Sequence, residues 1–248
     1  MPFDLSLAGV YWRIHPLIHS FIHRVSIDRR RHENVSYADV TKPYGEKDSD
    51  GLWNIPAADR NKEPILAVLQ NALPTRGLVV EVASGTGQHV IHFAKNLGEL
   101  IWLPSDPDVE FRKSIEKRIR DSGLENVRTP LNLDVLDNPW PVSEANAVIC
   151  INMIHVAPWE ATRALIHGVE QILSEEGVLF MYGPYRRSGT HTAPSNEAFD
   201  VRLREQNPDW GIRDLEDVEK LGERVGLFLD AVVEMPANNL SLVFRLQR

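Results

Sequence analysis

At 248 residues the chain can bury a full core, and its 43% hydrophobic and 25% charged content is that of a globular protein, not a disordered one. A net charge of -8 argues against a nucleic-acid partner, because phosphate binding needs a basic face. The single cysteine, Cys150, excludes an intramolecular disulfide and a cysteine-built zinc site and fits a reducing compartment such as the cytoplasm, and no apolar run approaches the roughly 18 residues of a membrane span.

Residues 1–57 are expected to be an arm and linker ahead of the domain. Arg13, Arg24, Arg29, Arg30 and Arg31 face only Asp4 and Asp28 in residues 1–32, and His15, His19 and His23 recur every fourth residue. An accessory amphipathic helix or a frayed arm is the plain reading, and a mitochondrial-type transit segment is the alternative. Helical histidines without carboxylate partners are ordinarily surface, so no metal site is expected. From residue 58 the pattern becomes regular. "RNKEPILAVLQNAL" reads as a helix that Pro74 ends, 78–82 as a buried strand, 88–97 as a helix and 100–104 as a strand. "DVEFRKSIEKRIRDSG" is a helix with Asp108 at its N-cap and Gly123 as its stop. Residues 126–133 and 145–152 read as strands, 158–173 as a helix and 177–185 as a strand. A polar stretch, 184–212, precedes a helix from 213, and strands at 227–235 and 240–247 close the chain as a hairpin.

Strand–helix alternation of this kind gives an α/β fold. The expectation is a Rossmann-like, doubly wound, seven-stranded sheet, mostly parallel, with an antiparallel C-terminal hairpin strand. Its ligand belongs at the carboxyl ends of the strands, so the residues just after each strand carry the information. After the first strand, Gly85 and Gly87 permit close backbone approach and positive φ, ahead of a helix N-terminus. Asp106, after the second, can accept both hydroxyls of a ribose, and Asp134, after the third, can accept from an adenine amine. The loop is A-S-G-T-G, so the GxGxxG fingerprint is not met, and it lacks the lysine of a phosphate-binding P-loop. Glu81 inside the first strand repels phosphate and suits a sulfonium or an ammonium group. Together these acids and glycines describe an S-adenosylmethionine site.

The order of elements and "EVASGTGQH" resemble the class I S-adenosylmethionine-dependent methyltransferases. More narrowly, "ADRNKEPIL", "WLPSDPD", "INMIHVAPW", "NPDWGIRDLEDV" and "MPANNLSLVFR" resemble the methyltransferase-like protein 26 family, over about residues 58–248. On that resemblance Glu81, Ala83, Gly85 and Gly87 match the first methyltransferase motif, and Ala83 in place of the usual glycine is a family trait. The resemblance further implies Asp106 at the ribose, Asp134 at the adenine, Asn152 at the methionine end, and Arg60 with Asn61 closing over the methionine carboxylate.

His155, after the fourth strand, is the candidate general base, its ordinary pKa suiting neutral pH. Segment 184–212 is the expected lid over a small organic substrate. With Tyr182 just ahead of it, it supplies Tyr185, Asn196, Phe199 and Trp210 to substrate binding, beside His191, Ser195 and Asp200. Arg213 and Asp214 read as a helix cap and salt bridge. "NMIH" lacks the Asn/Asp-Pro-Pro-aromatic signature of amino-methylating nucleic-acid enzymes. The sequence therefore points to a methyltransferase for a small molecule, O-methylation slightly ahead, with a non-catalytic S-adenosylmethionine-binding module as the alternative. Substrate and oligomeric state are not legible.

Overall fold

The computed structural model describes residues 10–12, 46–47 and 52–248. His15, His19 and His23 lie outside them. The described elements run β1 (Val10–Trp12), β2 (Glu46–Lys47), β3 (Trp53–Asn54), α1 (Pro56–Ala72), β4 (Gly77–Val82), α2 (Gln88–Asn96), β5 (Leu100–Pro104), α3 (Val109–Ser122), β6 (Ala145–Ile151), α4 (Trp159–Ile172) and β7 (Leu173–Gly183). Then follow β8 (Tyr185–Arg187), β9 (Thr190–His191), α5 (Pro194–Gln206), β10 (Arg213–Asp214), α6 (Leu215–Glu223), β11 (Leu227–Met235) and β12 (Asn239–Leu246).

The main sheet has seven strands in the order β1-β11-β12-β7-β6-β4-β5. Strands β5, β4, β6 and β7 are parallel, and β12, β11 and β1 continue antiparallel, each to its neighbour. Alternate residues of each strand face opposite sides. Val79, Ala147, Ile149, Val178 and Phe180 pack under Ile65 and Leu69 of α1, Phe93 of α2 and Ile115 of α3. Val80, Val82, Val148, Cys150, Leu179 and Met181 pack under Leu165 and Val169 of α4 and Val218 of α6. Both faces are thus covered, which is why the central strands are near-continuous apolar runs. Each valine, leucine, isoleucine, phenylalanine or methionine among them stabilises the fold by about 1.5–3 kcal/mol on full burial.

Seven strands were expected, but one of the seven differs. Residues 126–133 are not a strand: they touch β5 only through isolated bridges, Trp102 to Val127 and Ser105 to Leu131. The cause is a pair of prolines. Trp102 bonds to Asn126 O and Arg128 N, both at 2.8 Å. The next rung would need N–H groups from Pro104 and Pro130, and proline has none. Leu131 N donates to Pro104 O instead, at 2.9 Å, one residue out of register. The seventh strand comes from the N-terminal arm, as β1 at the opposite edge.

The polar stretch 184–212 is not a simple lid loop. It holds the β8–β9 hairpin and the 13-residue helix α5, which begins with proline in its first turn. The α5 residues that are buried are Asn196, Asp200 and Leu203, so its inward side is mostly polar and shows no apolar period.

On the other sheet face, α4 packs closely against Trp140 at Gly168. An added Cβ there would lie 2.2 Å from Trp140 Cε2. Alanine ordinarily gains about 1 kcal/mol over glycine in a helix, but overpacking a core costs about 1–3 kcal/mol. Gly168→Ala is therefore expected to lower unfolding free energy by about 1–2 kcal/mol in a denaturant titration, against the helix-propensity sign.

Candidate active site

At the carboxyl ends of β4, β5 and β6 the backbone turns abruptly. Ala83 (φ 53), Gly85 (φ 55), Gly87 (φ 82) and Asn152 (φ 60) all lie in the left-handed region. For Asn152 this is tolerable, while Ala83 carries a cost of about 1–2 kcal/mol. The loop after β4 is held from within. Ser84 N donates to Ser105 O at 2.8 Å, Ser105 N to Ser84 Oγ at 3.1 Å, and Ser105 Oγ to Glu81 O at 2.9 Å. Gly85 N donates to Asp106 Oδ2 at 2.9 Å, and Asp108 N to Asp106 Oδ1 at 2.9 Å. Gly87 caps α2, and a Cβ there would sit 3.0 Å from Ile115 Cγ1, so it serves packing against α3.

A cavity of about 690 Å³ opens at these strand ends. Of the residues singled out in the sequence, Arg60, Asn61, Ala83, Gly85, Asp106, Asp134, Asn152, Tyr182, Asn196 and Phe199 line it. Asp134 Oδ1 accepts from Leu136 N at 3.0 Å. Tyr182 Oη accepts from Asn239 Nδ2 at 2.9 Å and is also bonded to Asn61. Asn61 Oδ1 lies 2.7 Å from His89 Nε2, which holds the amide in place. Asn196 Nδ2 donates to Asn238 O at 2.9 Å, fastening α5 to the 236–238 turn.

The profile of the family described as "Protein of unknown function (DUF938)" matches residues 54–246. The chain belongs to the DUF938 family. Among solved structures it is similar to an O-methyltransferase family protein from Burkholderia thailandensis, with TM-score 0.60 and 16% identity over 77% of this chain and 60% of that one. It is also similar to human N-acetylserotonin methyltransferase in complex with SAM, with TM-score 0.64 and 13% identity over 76% and 52% of the two chains. A third is the YcgJ protein from Bacillus subtilis, with TM-score 0.55 and 15% identity over 68% of each chain. At these identities the shared feature is the fold, a mostly parallel α/β sheet with an antiparallel C-terminal pair. The chain spans 60% and 52% of the first two neighbours.

Five sequence candidates stand outside the cavity lining in this DUF938 chain, among them Gly87 at the start of α2. Glu81 is buried behind the loop, its Oε2 without a hydrogen-bond partner. Tyr185 and Trp210 are 0% and 1% exposed and belong to the packing beneath the cavity. His155 is the main correction. It follows β6 as expected, but its side chain turns away from the cavity into the layer under Gly183. A Cβ on Gly183 would lie 2.4 Å from His155 Nε2. The imidazole meets the Tyr185 ring edge-on at 5.1 Å, and Nδ1 lies 3.4 Å from Arg213 N. Burial, then the Arg213 charge, push His155 down to about 3, so it is neutral at ordinary pH. Arg213 does more than cap a helix: its guanidinium donates to Ile154 O, Ala157 O and Asp209 O, pinning the segment after β6. Residues the sequence did not single out include the lining residues Arg202, Asn238 and Asn239, and His89 behind Asn61, whereas Ser195, named with the lid, does line the cavity.

Burial pushes two carboxyls up, Glu81 from its ordinary 4.5 to about 8 and Asp106 from 3.8 to about 7. The folded protein then holds protons that the unfolded chain releases between those values. Stability contributed by each group is full below its ordinary pKa and is lost as pH rises through the folded value, at no more than about 1.4 kcal/mol per pH unit. Denaturant unfolding of the free protein should therefore give falling stability from pH 5 to 8, with a shallower slope in Glu81→Gln. His155→Ala is expected to lower stability by about 2–4 kcal/mol by opening a buried void, read as a drop in Tm.

Proposed function

We propose that the protein is an S-adenosylmethionine-dependent methyltransferase acting on a small organic molecule, with oxygen as the favoured acceptor atom. The observation that carries this reading is the Asp106 carboxylate, lining the cavity while its two oxygens are aimed by Gly85 N and Asp108 N. The residues present fit the cofactor on two further counts. An added Cβ on Gly85 meets nothing within 4 Å, so the backbone is open to close approach by a ligand. Glu81 Oε2, buried without a hydrogen-bond partner, leaves an unsatisfied polar atom at the back of the loop. Two of the neighbours above are named methyltransferases, one holding SAM. The resemblance to the methyltransferase-like protein 26 family points the same way.

On this reading Asp106 accepts from the ribose hydroxyls, and Asp134 from the adenine amine. Arg60 pairs with the methionine carboxylate, and Asn61 and Asn152 border that end. When bound, the cofactor supplies a methyl group on a positively charged sulfur. The protein's own contribution is to orient the acceptor in line with that methyl and to exclude water, because displacement at a methyl gains mostly from positioning. Tyr182 suits the positioning. Its oxygen is bonded to the Asn61 and Asn239 amides, and burial raises its pKa, so the phenol keeps its proton at neutral pH and can donate to the acceptor. His155, outside the cavity and neutral, keeps the wall in shape and takes no proton.

Isothermal titration with S-adenosylhomocysteine tests the reading. Asp106→Ala is expected to weaken binding by about 10- to 100-fold, the loss of a charge-assisted pair of hydrogen bonds. Because Asp106 must be ionised to accept both hydroxyls, affinity should rise with pH up to about 7 and level off above it, and Asp106→Asn should flatten that profile. Unchanged affinity in Asp106→Ala would sink the assignment. Transfer of labelled methyl from S-adenosylmethionine into a metabolite extract separates an enzyme from a non-catalytic binding module.

A further inference from the structure

The cavity walls differ in charge. The wall from β5 and the segment after Leu131 presents Asp106, Asp108 and Asp134. The wall made by α5 and the 236–239 turn presents Ser195, Asn196, Phe199, Ala237, Asn238 and Asn239, all uncharged, and one cation, Arg202. On α5 the positions Ser195, Phe199 and Arg202 are four and three apart, so they share one helical face. Arg202 is exposed, and among the described residues no carboxylate pairs with it. Four residues away in either direction stand Ala198 and Gln206, neither of them an acid, and Glu205, three residues on, forms no salt bridge with it among the described residues. Asp200, the nearest carboxylate in sequence, points to the other side, where it accepts from Ile212 N at 2.6 Å and Arg204 Nε at 3.0 Å. What Arg202 does touch is Phe199: its Cζ lies 5.6 Å from the ring centroid. The ring holds the guanidinium as a planar fork at the cavity rim, the form in which arginine binds a carboxylate through two parallel hydrogen bonds.

We propose that Arg202 is a specificity-determining residue and that the acceptor is a small planar acid. Its carboxylate pairs with the Arg202 guanidinium and its flat face lies along Phe199. The proposal rests on the methyltransferase reading for the second occupant of the cavity. Arg60, on α1, is the cation for the cofactor's carboxylate, which leaves Arg202 for the acceptor. An acceptor without negative charge would leave Arg202 unpaired beside Phe199, while a carboxylate would also be kept by repulsion from the three-acid wall.

The experiment compares 4-hydroxybenzoate with its neutral counterpart 4-hydroxybenzamide, titrated into protein saturated with S-adenosylhomocysteine. The acid is expected to bind at least tenfold more tightly. Arg202→Met should abolish the preference and Arg202→Lys should retain part of it, both with S-adenosylhomocysteine affinity unchanged; Arg60→Met should weaken S-adenosylhomocysteine instead. Equal or undetectable binding of the two probes, a preference that survives in Arg202→Met, or loss of S-adenosylhomocysteine affinity in that variant would overturn the proposal. If S-adenosylhomocysteine fails to bind the unaltered protein, the methyltransferase reading falls, and the two probes on the protein alone still report whether Arg202 selects an acid.

Discussion

The hydrogen bond from Gly85 N to Asp106 Oδ2 joins the loop after β4 to the end of β5, and the rest of the site is arranged around it. A buried carboxylate is costly unless its oxygens are partnered. Here Gly85 N and Asp108 N partner one oxygen each, and Ser84 and Ser105 lock the two strand ends together. The backbone of 83–87 is thereby fixed before any ligand arrives. Gly87 then lets α2 approach Ile115, so the position of α3 depends on the same loop. Preorganisation of this kind spares a ligand the cost of ordering the loop that receives it.

Ala83 shows how firmly the loop geometry is imposed. Where glycine would meet a φ of 53° without cost, alanine holds the same conformation with a steric penalty of about 1–2 kcal/mol. Asn152, at φ 60° after β6, reaches the same region with a residue that tolerates it, and its N–H bonds to Tyr182 O at 2.8 Å. Two strand ends that line the cavity are therefore bent sharply, each in a left-handed residue.

Much of this was legible in the chain because the dominant forces leave periodic marks. Runs such as 78–82 and 145–151 are buried on both faces, Asp108 caps α3 through its carboxylate, and Gly123 ends it in a left-handed conformation that needs no side chain. The acids and glycines after β4 and β5 could be singled out because the alternation of strands and helices tells at which end of the sheet a cavity opens, and Gly85 and Asp106 line it. Three things were not legible, each for a different reason. The edge at 126–133 has strand-like composition, but pairing depends on which residue of the neighbour it meets, and it meets Pro104. Helix α5 buries Asn196 and Asp200 with Leu203, so no apolar stripe announces it. His155 has the right place in sequence, but the direction of a side chain in a three-residue 3₁₀ turn is set by what packs behind it, here Gly183 and Tyr185.

The same facts about α5 bear on where acceptor choice resides. Its attachment to the domain runs through Asn196 to Asn238 O and Thr192, through Asp200 to Ile212 N, and through Leu203 in the core. Those contacts lie on one side of the helix. Phe199 and Arg202 take no part in them, so the fold asks little of either position. The sheet side of the cavity is the reverse case: altering Asp106 or Gly85 disturbs the loop that sets α2. If the cavity serves the proposed reaction, acceptor selection falls to the element whose cavity face is least tied to stability, while the strand ends, which cannot vary without loss of the loop, hold the part of the site that any acceptor would share.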